Sequence, residues 1–184
     1  WRTLALFGFL LVFGTGGVSA QEELRPYLVQ TDRLILRFKA NVEEFLPVIK
    51  ELREKKDLSG LKNAGDLYAD RWAELVGEID QVVPPAEAVE YHKAFRRLCE
   101  LQRESNVILS QTLQQRMEVL EKSREMKESG VPQEEIDSYV QENSPQRESL
   151  TVRTSALKEQ TQQMDDIFKA ERKRLMDLLE PKVQ

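Results

Sequence analysis

His92 and Cys99 are the single histidine and the single cysteine of this 184-residue chain. A thiolate beside an imidazole is a nucleophile–base pair, and the same two side chains are zinc ligands. Both fall within one stretch, VVPPAEAVEYHKAFRRLCELQ, at 82–102. On a continuous helix, residues seven apart share a face but stand ~10.5 Å apart along the axis. Zinc needs its N and S ligands at ~2.0 and ~2.3 Å from one ion, and a nucleophile needs its base within ~2.6–3.2 Å. Nothing in 93–98 (KAFRRL) interrupts a helix. The two groups are therefore expected to act separately. Cys99 reads as a small buried apolar residue, and His92 as a packed or rim residue beside an apolar seam.

Other chemistries fail on inventory. One histidine excludes HExxH, and one cysteine excludes a CxxC zinc pair or a c-type haem attachment. A di-iron bundle needs Glu-x-x-His, but Val89 stands three before His92. No glycine-rich phosphate loop is present. Glu43-Glu44 and Asp165-Asp166 are adjacent, so on a helix they diverge by ~100° and read as solvated faces. No catalytic residue, metal ligand or cofactor-binding residue is assigned, and the expectation is a protein that is not an enzyme and carries no cofactor. One remote alternative is haem held between His92 and Met176, which an antiparallel arrangement would bring near each other. The net charge of −5 and the lack of a basic, aromatic-studded stripe disfavour nucleic acid.

A further feature is a polar gap in an apolar run. Phe95, Leu98 and Leu101 lead in, Leu109 and Leu113 lead out, and Gln102, Ser105 and Asn106 lie between. Antiparallel packing sets Thr161, Gln162 and Asp165 opposite. Three readings apply: a buried layer that fixes helix register, a solvated face, or a small ligand pocket.

The elements that would position these residues are helices. The chain opens WRTLALFGFLLVFGTGGVSAQ, with Arg2, an apolar run at 4–13, and small residues up to Ala20. This is the layout of a secretory signal peptide over 1–20; the run is too short for a membrane span, which needs ~20 residues. The alternative is an uncleaved N-terminal anchor. Residues 21–184 are then a single helical-bundle domain, exported to the periplasm or extracellular space. With one cysteine, its stability must come from packing rather than an internal disulfide.

Apolar residues recur at steps of three and four. Leu24, Leu28, Ile35, Phe38, Val42, Phe45, Ile49 and Leu52 mark a first helix, with Thr31 in a gap and Pro47 kinking it without ending it. Leu61 through Val82 mark a second helix, which ends at VVPP. The third is expected over 85–129, with Gly130 as its stop. VPQEEIDSYV reads as a short helix. Ser144 as cap and Pro145 as first residue open the last, which runs to about Glu180.

The predicted fold is all-α: an elongated antiparallel four-helix bundle, up-down-up-down, with a short extra helix. At ~1.5 Å per residue the third helix spans roughly 65 Å and the second roughly 33 Å. The far end of the third is therefore expected to pair mainly with the start of the last, capped by Ile136, Tyr139 and Val140. The functional expectation is a protein–protein interaction or envelope scaffold. The alternative is a sensor-like or chaperone-like binding module that uses the polar layer or the tip between Met126 and Val152. A protein partner and self-association are both expected modes; a membrane enters only through the leader.

Overall fold

The computed structural model describes residues 20–145 and 147–180. Among the described residues all regular structure is helical, with no strand. α1 is Ala20–Glu54, α2 Leu58–Asp80, α3 Val89–Glu128, α4 Gln133–Asn143 and α5 Arg147–Leu179; Ala86–Ala88 form a 3-10 turn. None of these helices is long and apolar enough to cross a membrane. The leader expected over 1–20 lies, apart from Ala20, outside the described residues.

The boundaries follow local chemistry. α1 runs through Pro47, and Phe45 and Ile49 on either side both join apolar clusters. It stops in a left-handed turn at Lys56, φ 54°, where Lys56 N donates to Arg53 O and Asp57 N to Leu52 O. Those two bonds close a Schellman motif, here without glycine. Asp57 then caps α2, its carboxylate accepting from Gly60 N at 2.8 Å. Gly130 ends α3 as expected, at φ +76°, with Val131 N bonded to Met126 O.

Two helix starts differ from the sequence reading. The stretch after Pro85 first makes a 3-10 turn, with Ala88 N on Pro85 O at 2.9 Å, and α-helix begins only at Val89. Pro145 is not helical, and Ser144 closes α4 instead of opening α5. The proline accounts for the end of α4: it drives the preceding residue to extended backbone, and Ser144 sits at ψ 142°.

α3 is the central element, packed most extensively on α2, then on α5, then on α4. Three apolar clusters describe the interior. The largest draws on all four long helices, with Leu24, Trp72, Tyr91, Phe95 and Leu175 among its members. The second joins Ile49 of α1, Leu61 and Ala64 of α2, and Leu113 of α3. The third joins Leu101 and Ile108 of α3 to Leu157 of α5. The helices thus share one core around Tyr91. Beyond it, α1 with α2 and α5 alone take separate faces of α3, and the molecule forks.

The far end of α3 corrects an expectation. It is covered by α4, which doubles back along it: Ile136 and Val119 are buried, and Gln115 Nε2 donates to Asn143 O at 3.0 Å. α4 lies beside the rod instead of capping its tip. The length argument correctly left α3 protruding past α2, but it assigned the protrusion mainly to the start of α5 and gave α4 only the tip.

Candidate functional site

α3 is unbroken from Val89 to Glu128, so His92 and Cys99 remain two turns apart. Cys99 is free and fully buried, and burial, with a smaller push from Glu100, drives its thiol pKa far up. A thiol held protonated and out of solvent is unreactive. Ellman's reagent is expected to modify Cys99 only in denaturant; rapid reaction in native buffer would contradict this burial.

His92 Nδ1 lies 3.2 Å from the Tyr27 hydroxyl, which donates to it when the ring carries its proton on Nε2. Desolvation lowers the imidazole pKa, Asp80 opposes that shift, and Arg96 adds to it. The neutral ring is therefore the form the fold accommodates. His92 contributes its full stability above the ordinary imidazole pKa of ~6.5. The contribution is lost as pH falls through the lowered folded value, because the unfolded chain binds the proton first. Urea midpoints between pH 7.5 and 5 are expected to fall for the native chain and to fall less for His92→Gln. Equal slopes would refute the assignment. The haem pairing gains no support: His92 is engaged with Tyr27 of α1, and Met176 is exposed while its neighbour Leu175 fills the core.

A network that sequence reading missed lies alongside. Arg172 Nη1 reaches Asp32 Oδ1 at 2.6 Å and donates to the Tyr91 hydroxyl at 3.1 Å, tying α5 to α1 and α3. Tyr91 is fully buried. Its partners come from distant parts of the chain, so no local spacing announces them.

The expected polar layer is only partly formed. Asn106 is buried, Gln102 half-buried and Ser105 exposed. At ~100° per residue, Ser105 and Asn106 fall on opposite sides of Gln102, so one neighbour cannot cover all three. Asn106 packs by α2, not α5: its backbone lies against Gly65, and buried Ser110, one turn further along α3, donates to Asp66 of α2. Asn106 Nδ2 donates to Gln102 O at 2.9 Å, and its Oδ1 has no partner among the described residues. Thr161, Gln162 and Asp165 bond within α5. Together with Gln102 they line a groove of ≈ 430 Å³ between α1, α3 and α5, floored by Phe38, Val42 and Leu98.

A larger groove of ≈ 800 Å³ opens on the other side of α5, walled by α2, α3 and α5. Val76, Val107, Ile108 and Leu157 supply its apolar surface. Its charged side chains are mostly arginine. Arg96 is engaged by Asp80 at 2.6 Å and by Glu100, and Arg97 by Glu104 at 2.6 Å. Arg103 of α3 and Arg153 of α5 line the same groove, and neither has an ion pair or hydrogen bond among the described residues. Sequence reading singled out neither, since only the packing of α5 against α3 brings them to one groove. No group of three or more His, Cys, Asp or Glu side chains among the described residues could hold a metal.

What the arrangement offers is binding surface: apolar floors beside α5, with guanidinium donors on one of them. No family model, curated protein or solved structure matches the chain.

Proposed function

We propose that the chain is an exported, non-enzymatic helical-bundle protein that works through protein–protein contact, as a scaffold of the periplasm or extracellular space. On this reading residues 1–20 are a leader removed ahead of Gln21, and 21–184 form one domain. The four long helices make an elongated up-down-up-down bundle. The contact registers support that topology: Arg37 meets Glu78 and Glu44 meets Arg71 across α1 and α2, while Asp80 meets Arg96 across α2 and α3.

The observation that carries the reading is the fork. Where α5 leaves α1 and α2, a partly apolar groove opens on each side of it. Apolar surface left beside directed polar groups is the character of an interaction site. The test is a photo-crosslinking amino acid at Val107 or Ala156 in the larger groove, with Leu36, exposed on α1, as control. Crosslinks to a discrete protein from the groove positions and none from Leu36 are expected. Equal yield at all three positions, or no adduct at any, would overturn the reading.

A second reading, a sensor-like or chaperone-like binding module, draws on the ≈ 430 Å³ groove at Gln102. That volume falls within the ~300–1,000 Å³ of small-molecule sites. Gln102→Leu would then abolish a ligand-dependent rise in melting temperature without altering the groove crosslinks.

A further inference from the structure

We infer that the α2/α3/α5 groove docks an acidic amphipathic helix of a partner protein, whose carboxylates are taken by Arg103 and Arg153. The inference rests on the protein–protein reading above and names the chemistry of the partner.

Size comes first. The α3 wall runs from Arg96 to Ile108. At ~1.5 Å per residue that is roughly 18 Å, the length of a three-turn helix. A helix ~10–12 Å across and 18 Å long occupies about 1,400–2,000 Å³. The groove's ≈ 800 Å³ therefore holds about half of it, leaving the other half to solvent. Half-immersion is the geometry of helix-in-groove recognition, in which apolar anchors at i, i+3, i+4 and i+7 face the floor. Volume alone would also suit a small molecule; the length of the α3 wall and the guanidiniums on different walls are what favour a helix.

Charge sets the sign. Arg96 and Arg97 are already neutralised by Asp80, Glu100 and Glu104. Arg103 and Arg153 are not, and they stand on different walls. A docked helix with acids on both flanks meets one guanidinium on each side. A basic helix would meet two unpaired cations instead. Arginine in a partly desolvated groove is well suited to carboxylate, since its planar fork binds both oxygens. Two unpaired guanidiniums on a chain of net charge −5 are too few to hold a nucleic-acid backbone.

The test uses the purified full chain and two fluorescent peptides of equal length. Both carry leucines at i, i+3, i+4 and i+7; one is flanked by glutamates, the other by lysines. Anisotropy is expected to show the glutamate peptide binding at least ~10-fold more tightly, as ~1.4 kcal/mol of differential affinity requires. Arg103→Glu with Arg153→Glu is expected to reverse the preference. Both side chains are exposed, and an unchanged thermal melt confirms the fold. Arg103→Gln with Arg153→Gln, expected to abolish the preference without reversing it, is the milder control. Equal affinity for the two peptides, or a preference that survives the glutamate variant, overturns the charge assignment. Failure of the glutamate peptide to bind, with laurate binding in an arginine-dependent way, overturns it in favour of a small amphiphile. Each of these leaves the groove crosslinks as the separate test of the scaffold reading.

Discussion

Replacing Trp72 with alanine is expected to cost roughly 3–5 kcal/mol of unfolding free energy, the range for removing a buried large aromatic. Trp72 is 2% exposed and belongs to the cluster shared by all four long helices. Its ring lies 5.1 Å from Phe38 of α1, Phe38 lies 6.1 Å from Phe95 of α3, and Phe95 lies 5.3 Å from Phe168 of α5. A chain of rings thus crosses the bundle from α2 to α5. The alanine leaves a void at one end of that chain, and close-packed interiors collapse into such voids only in part. A domain of this kind is stable by about 5–15 kcal/mol, so a large fraction would go. Leu157→Ala is the comparison. Leu157 sits in the smaller α3–α5 cluster at 9% exposure, at the fork, where a neighbour can relax into the space. It is expected to cost about 2 kcal/mol, the low end for leucine. Urea unfolding monitored by far-UV circular dichroism decides the order. If Leu157→Ala proves the more damaging, the shared core around Tyr91 is not the main source of stability.

The same contrast shows what the sequence could and could not tell. Spacing at steps of three and four identified the core-facing side of α1 because burial at a helix face depends on local order. Leu24, Leu28, Thr31 and Ile49 are all buried, and the Thr31 hydroxyl is satisfied by Leu28 O of its own helix. Gly130 was legible as a stop because a positive φ after a helix selects glycine. The stop at Lys56 was not legible from residue type, since lysine is an unusual choice at a positive φ. What spacing could not supply was the identity of the neighbour. Asn106 was recognised as a polar residue in an apolar run, yet the partner facing it is Gly65 of α2 and not Thr161 of α5. Ile136 was recognised as apolar, yet it covers the side of α3 and not its tip. Arg103 and Arg153 are fifty residues apart in sequence and meet only because α5 lies against α3. Helix faces come from local sequence; grooves come from how those faces are matched.

Gly65 makes that matching measurable, and Gly65→Leu is expected to destabilise by roughly 1–3 kcal/mol, the usual range for overpacking. A Cβ at this position would sit 3.2 Å from Asn106 O, 3.2 Å from Ser110 Cβ and 3.3 Å from Ser110 N. Two of those three are backbone atoms of α3, which cannot withdraw without shifting the helix. Leucine's better helix propensity returns only about 0.8–1 kcal/mol. Gly77, twelve residues further along the same helix, supplies the opposite case: a Cβ there meets nothing within 4 Å. Gly77→Ala is accordingly expected to stabilise by about 0.4–1 kcal/mol, through helix propensity and a less disordered unfolded chain. One helix thus gives two signs: at Gly65 the backbone of α3 lies within contact of an added Cβ, and at Gly77 nothing does. If thermal melts show both substitutions raising the midpoint, α2 does not approach α3 at Gly65. Ser110 could not then reach Asp66, and the α2 wall of the arginine groove, at Ala73 and Val76, would stand elsewhere.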